Sequence, residues 1–455
     1  MFKGLLQAQK EFFWSGQSRN IDFRINALTQ LRAGIKSHEE EILAAIYLDL
    51  HKTAVDAFST EIGIVYDEIS YALKNIRSWV KPEKVRSPFF IFPAKSYVQK
   101  EPYGVTLIIA PWNYPFSLLM APLVGAIAAG NTAILKPSEI STHTAGVVEK
   151  IINSIFPRDY ICAVQGAVAE TQALLDLPVD YIFFTGSVAV GKAVMGAAAR
   201  NLTPLTLELG GKSPAIVHTD ANLTDAARKI AWGKFINAGQ TCIAPDYVLV
   251  HKDVQDDFIA GLKKVIVDFY GEDASTHQRY CRIISDKHFT RLTALLDKDK
   301  IIYGGRTNPA NRYIEPTILS PVQWDDSIMS DEIFGPILPI IVYTDIDDII
   351  RRINERPKPL ALYLFTDDGA VQKRVTSEIS YGGGAVNNTI VQVVSHFLPF
   401  GGVGPSGIGR YHGKASFDTF THCKSMVKSS SRFDLGLAYP NNKRTSLRLL
   451  RKIMK

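Results

Sequence analysis

Two side chains near the middle of this chain are of the types that covalent catalysis followed by hydrolysis requires. Glu208 stands in LELGGKSP and Cys242 in GQTCIAPDY. A cysteine thiolate is a nucleophile, and a glutamate can activate a water. Each stands at the end of an ordered element, with a segment between them that reads as strand, helix and turn. Taken alone, a lone thiol is more often an inert, partly buried group, so the surrounding elements have to decide.

At 455 residues the chain is too long for one ordinary core, and two or three domains are expected. Hydrophobic residues at 46% and charged residues at 21% are ordinary for a globular protein. The longest apolar run, 118–129, is broken by Pro122 and Gly125 and falls short of the ~20 residues a spanning helix needs. The N-terminus lacks a small-residue cleavage pattern, so no signal peptide is expected. Cys162, Cys242, Cys281 and Cys423 lie far apart without CxxC spacing. Such usage points to reduced thiols in a cytoplasmic enzyme, with no zinc or disulfide framework. The net charge of +6 is local: from Lys424 onward there are nine basic residues and one acidic one. The body is therefore near neutral, which excludes a basic nucleic-acid-binding fold.

Residues 2–80 read as largely helical, with Leu28, Leu31, Ile35, Ile42, Leu43 and Ile46 at helical spacing. Prolines 82, 88, 93 and 102 break that pattern, and the extended IFPAKSYVQKEP predicts a strand arm. From Gly104 short apolar strands alternate with helices, the signature of a parallel α/β sheet covered on both faces. Ligands of such sheets bind beyond the carboxyl ends of the strands. The polar residues there are Asn113, then Lys136 and Glu139, then Gly186 and Ser187. GSVAVG, ending at Gly191, is glycine-punctuated but is not a GxGxxG fingerprint, so a tight strand-to-helix turn explains it equally well. A second α/β texture begins after Glu208. YGGGAVNNT and LPFGGVGPSGIGRYHGK are rich enough in glycine to read as loops closing over a site.

Seven stretches in a fixed order carry a family resemblance: APWNYP, LKPSE, FFTGS, LELGGKSP, GQTCIAPDY, EIFGPILP and the long LPFGGVGPSGIGRYHGKASFDTFTH. With them the chain resembles the aldehyde dehydrogenase superfamily, and within it the class 3 branch of fatty and aromatic aldehyde dehydrogenases. The resemblance implies a Rossmann-like cofactor domain over 1–80 and 105–206, and a second α/β catalytic domain over 207–401. It implies a bridging and oligomerisation arm over 81–104 and 402–430, and a homodimer. The cofactor would be NAD or NADP. Cys242 would be the nucleophile, Glu208 the base that activates the hydrolytic water, and Asn113, with the Cys242 N–H, the holder of the oxyanion. Lys136 and Glu139 would contact the adenine-side ribose, and Gly186, Ser187 and Gly191 would flank the pyrophosphate. Glu332 would hold the nicotinamide ribose, with Phe334 packed nearby. No metal is implied. Asp331 and Val188 depart from residues common in the family, and neither carries chemistry.

The implied reaction is oxidation of an apolar aldehyde, medium- or long-chain or aromatic, to its acid. A coenzyme-A-acylating or semialdehyde dehydrogenase and a catalytically silent scaffold are the alternatives; retention of Glu208, Cys242 and Asn113 argues against acylation and silence. Over 431–455, Leu447, Leu450, Ile453 and Met454 fall near one helical face, with Arg448, Arg451 and Lys452 among the others. Such a basic amphipathic tail can lie on anionic lipid, at the membrane surface.

Overall fold

The computed structural model describes residues 2–433, 439–440 and 447–453. The N-terminal helices include Ile21–Ser37, Glu39–Leu50 and Gly63–Trp79. Leu28, Leu31, Ile35, Ile42 and Ile46, spaced for one helical face, are all completely buried.

A six-stranded sheet has the order Gly407–Ile408, Leu205–Glu208, Tyr181–Thr185, Val105–Ile109, Thr132–Lys136, Ile161–Ala163. All pairs are parallel except that of Gly407–Ile408 with Leu205–Glu208. Strands added after Val105–Ile109 go first to one side of it and then to the other. The order thus reverses between Val105–Ile109 and Tyr181–Thr185, where open α/β sheets hold their ligands.

A second, seven-stranded sheet orders Ile301–Tyr303, Thr317–Leu319, Ile337–Tyr343, Tyr247–His251, Pro214–Val217, Ala361–Phe365, Gly383–Val386. Only its first pair is antiparallel. Both sheets have central strands that are buried along their whole length, as strands covered on two faces must be. The arm is a third sheet: Glu83–Val85 and Thr421–Lys428 flank Lys95–Pro102, antiparallel throughout.

One expectation fails here. YGGGAVNNT is not all loop, because Gly383–Val386 is the edge strand of the seven-stranded sheet and runs parallel to Ala361–Leu364. A Cβ on Gly384 would lie 2.1 Å from the Leu362 carbonyl oxygen, so the glycine is what lets the two strands approach. The glycine-rich 398–414 stretch likewise contributes the two-residue strand Gly407–Ile408. At the C-terminus, Leu447–Ile453 is helical with Arg448, Arg451 and Lys452 exposed; Met454 lies outside the described residues. No helix among the described residues is long and apolar enough to cross a membrane.

Candidate active site

Glu208 ends the strand Leu205–Glu208, held between Thr185 on one side and Gly407 on the other. The residue is only 2% exposed, and neither carboxylate oxygen has a hydrogen-bond partner among the described residues. Burial pushes its carboxyl well above the usual range. A buried carboxyl without a partner costs stability, and such groups cluster where chemistry is done.

Cys242 follows the helix Leu223–Phe235 through a tight turn. Asn237, Ala238 and Gly239 all adopt left-handed backbone angles, with φ of 53°, 51° and 74°. Such a run is strained for the two non-glycine residues and persists only when its surroundings hold it. Gln240 supplies that hold: its Nε2 donates to the carbonyls of Asn237 and Arg282, both at 3.0 Å, and its Oε1 accepts from the Ile284 N–H at 3.0 Å. The next side chain, Thr241, shares a 2.7 Å hydrogen bond with the Tyr114 hydroxyl. On the far side, the Tyr363 hydroxyl donates to the Ile243 carbonyl at 2.6 Å. The thiol is thus presented by a loop fastened before and after it.

Asn113 comes from the six-stranded sheet, four residues beyond Ile109. Its Nδ2 donates to the Gln240 carbonyl at 3.0 Å, and its own carbonyl accepts from Asn237 Nδ2 at 2.9 Å. A primary amide has two donor hydrogens, so one remains beside the Cys242 loop. Burial pushes the Cys242 thiol up to about 12, and the Glu332 and Glu208 carboxylates add to the shift. Asn113, Glu208, Cys242 and Glu332 therefore converge from four segments of chain.

Glu332 lies over the Gly210–Gly211 turn. A Cβ on Gly210 would sit 2.0 Å from Glu332 Oε2, and the Gly211 N–H donates to the carboxylate. Burial, then Asp246, pushes Glu332 up to about 8. Asp246 anchors this segment by accepting from the Ile333 N–H at 3.0 Å and pairing with Lys212 at 2.7 Å. Phe334, at φ 53°, meets Trp112 edge-on at 5.4 Å.

The remaining sequence-selected residues lie at the carboxyl ends of the six-stranded sheet. Lys136 is 1% exposed; its Nζ donates to the Pro137 carbonyl at 2.8 Å and stands 3.7 Å from Glu139. Burial pulls the Lys136 ammonium down, against the pull of Glu139. Gly186 and Ser187 form the turn into the helix Val188–Arg200, which Ser187 caps by accepting from the Val190 N–H. Gly191 lies in the first turn of that helix. Its N–H is spent on the Ser187 carbonyl at 2.8 Å, and a Cβ there would lie 2.6 Å from Leu209. The close contact packs this helix on the sheet. The donor and acid set of Lys136, Glu139, Ser187 and Glu332, together with a helix N-terminus, fits a dinucleotide.

Sequence patterns did not single out Gln240, Asn237, Tyr114, Asp246 or Lys234. Lys234 is completely buried, its Nζ lies 3.9 Å from Asp246, and burial pulls it down to about 8. Only the Asn and Gln near the cysteine carried any signal, as polar residues within an apolar stretch.

A cavity of about 340 Å³ lies against this loop, lined by the rings of Tyr114, Trp232, Phe269 and Tyr270 and by the charged Lys52, Asp56 and Arg279. No group of His, Cys, Asp and Glu among the described residues is arranged to hold a metal ion.

Residues 5–426 match the model of the aldehyde dehydrogenase family. The chain is 52% identical over 433 residues to the 4,4'-diaponeurosporen-aldehyde dehydrogenase of Staphylococcus aureus, covering 95% of this chain and 94% of that protein. It is 45% identical to the dimeric NADP-preferring aldehyde dehydrogenase of Canis lupus familiaris, covering 93% of each. Among solved structures, the substrate-bound state of a Staphylococcus aureus AldH superposes with a TM-score of 0.98 at 49% identity over the full length of both chains. An indole-3-acetaldehyde dehydrogenase complexed with NAD+ gives 0.86 at 26% identity, covering 94% of this chain and 88% of that one.

Proposed function

Because the chain belongs to the aldehyde dehydrogenase family and is an NAD(P)-dependent aldehyde dehydrogenase, we propose that Cys242, Glu208 and Asn113 carry the reaction and that its substrates are apolar aldehydes. The observation that carries the assignment is the convergence on one thiol of a strained, clamped loop, an unpartnered buried carboxyl and an amide with a donor to spare.

The Cys242 sulfur adds as thiolate to the aldehyde carbon, and the carbonyl π electrons move to oxygen. Asn113 Nδ2 and the Cys242 N–H receive that oxyanion, each such donor contributing roughly 3 kcal/mol in acyl chemistry. Lys136, Glu139, Ser187 and Glu332 would hold the nicotinamide cofactor, which would supply the hydride acceptor. Loss of hydride leaves a Cys242 thioester. Glu208 then takes a proton from water, whose oxygen attacks the thioester carbon; the C–S bond breaks and the carboxylic acid departs. Because burial holds the Cys242 thiol near 12, its proton must leave as attack begins. Glu208 takes it and passes it to bulk water before acting as base on the hydrolytic water, and the proton gained there returns to the departing Cys242 thiolate. The rings of Tyr114, Trp232, Phe269 and Tyr270 in the cavity support an apolar portion of the substrate, while Lys52, Asp56 and Arg279 make the rest of its wall charged.

Absorbance at 340 nm with a panel of aldehydes and either cofactor tests the scheme. Wild type forms NAD(P)H and Cys242→Ala does not; Cys242-independent turnover would remove the nucleophile from its role. Glu208→Gln gives a single-turnover burst followed by stalled hydrolysis, and unimpaired steady-state turnover in that variant would reassign the base.

We also infer that the chain is a homodimer through its arm, and that the basic tail brings the enzyme to anionic membranes. The edge of Thr421–Lys428 that no strand among the described residues pairs with supports the first. The exposed Arg448, Arg451 and Lys452 on Leu447–Ile453 support the second. Co-sedimentation of the full chain and of residues 1–440 with anionic vesicles tests the tail; equal, negligible binding of both would end the idea.

A further inference from the structure

We propose that the tip of the arm, residues 88–93, is a membrane-inserting wedge for anionic bilayers. Of the six phenylalanines exposed among the described residues, three fall within four positions: Phe89, Phe90 and Phe92, at 66%, 52% and 55% exposure. Phenylalanine elsewhere in the chain mostly lies inside, so three together on one short turn require a partner.

The strand register shows where the tip points. The Glu83–Val85 ladder ends with Val85 opposite Ser96, and the Thr421–Lys428 ladder ends with Lys428 opposite Lys95. Residues 88–93 therefore overhang the end of all three strands. They lie off the strand edge along which a second copy could pair. The polypeptide leaves Lys428 at this same end and, within five residues, carries Arg432 and then Phe433, itself 56% exposed.

Charge chooses the partner. Over 81–96 and 428–433 the basic residues are Lys81, Lys84, Arg86, Lys95, Lys428 and Arg432, all exposed, and the only acid is Glu83. An apolar tip inside a basic collar matches a bilayer with anionic headgroups: rings enter the acyl boundary while ammonium and guanidinium groups stay with phosphate. A neutral bilayer lacks the second half of that match. The wedge does not depend on the tail, and it rests on the aldehyde reading only for its use, which is delivery of substrates that partition into lipid.

Vesicles of phosphatidylcholine alone, or with phosphatidylglycerol, are sedimented with four proteins. These are the full chain, the triple variant Phe89→Ser/Phe90→Ser/Phe92→Ser, the collar variant Lys84→Glu/Arg86→Glu, and residues 1–433. The full chain binds the phosphatidylglycerol vesicles and not the neutral ones. The triple variant partitions at least about tenfold more weakly, with light-scattering mass and oxidation of a water-soluble aldehyde unchanged, and the collar variant weakens binding as well. Phe90→Trp reports insertion by a blue shift of its emission on phosphatidylglycerol vesicles alone. Vesicle binding by the triple variant equal to wild type, no binding by the full chain, or dissociation of the triple variant into monomers would each overturn the proposal. The last outcome would make the tip an interface between copies. Binding lost in 1–433 but kept in the triple variant would also overturn it, and would leave the tail as the anchor. A chain that binds vesicles but oxidises no aldehyde sinks the proposed function and leaves the wedge standing.

Discussion

At the scale of single residues, the site is a thiol kept neutral until it is needed. Burial holds Cys242 near 12, and the charges of Glu332 and Glu208 act in the same direction. Glu332 itself sits near 8, so it is mostly uncharged below that pH and repels the thiolate only above it. Replacing Glu332 by Gln removes the repulsion and lowers the Cys242 value. Alkylation of Cys242 by iodoacetamide in the cofactor-free enzyme, followed on its peptide by mass spectrometry, is therefore expected to differ little between wild type and Glu332→Gln below pH 8. Above pH 8 the variant reacts faster, by up to about tenfold if the thiol moves one unit. Equal rates at pH 9 would show that the two groups do not communicate. The same comparison separates Cys242 from Cys162 and Cys281, which burial raises to about 12, in Cys281 with a further push from Asp56 and Glu61, and to which neither Glu332 nor Glu208 contributes.

At the scale of elements, the turn that delivers Cys242 matters as much as the cysteine. Gly239 has φ 74°, and a Cβ on it would lie 2.3 Å from the Gly335 carbonyl oxygen, a backbone atom that cannot swing away. Gly239→Ala is expected to shift the loop carrying Gln240 and Cys242 against the Glu332 segment. Displacements of about 1 Å at a reacting group cost on the order of 100-fold in rate. Steady-state kinetics on a folded variant should show kcat/KM falling by that order with little change in far-UV circular dichroism; unchanged kcat/KM would show that the turn is not what aligns the thiol. The elements themselves were mostly legible. Residues such as Val105–Ile109 and Tyr247–His251 announce buried parallel strands by their β-branched, uninterrupted apolar character. Gly383–Val386 did not, because glycine is poor in strands and the edge exists only through its pairing with Ala361–Leu364.

At the scale of the whole molecule, the late loop ties the N-terminal helices to the site. His412 Nδ1 pairs with Glu68 of Gly63–Trp79 at 2.7 Å, and Gly413 donates to the same carboxylate. The arm then leaves an open strand edge, where the exposed Val427 stands opposite Ser96. In light scattering the chain is expected at twice its 50.4 kDa mass, and Val427→Glu to shift it toward that mass itself. A wild-type monomer would remove the arm from oligomerisation.

The sequence by itself determined which chemistry is present and in what order along the chain. A thiol, a carboxylate and an amide are identifiable by type, and glycine and proline punctuation marks the turns that carry them. Tertiary structure alone decided what those groups experience. The missing partners of Glu208, the fastening of the Cys242 loop by Gln240 and Tyr363, and the charge of Glu332 beside the thiol all depend on segments far apart in sequence. Gly191 shows why: that a Cβ there would meet Leu209 at 2.6 Å is invisible in the sequence. Burial and electrostatic coupling are properties of distance in space, and no one-dimensional pattern contains them.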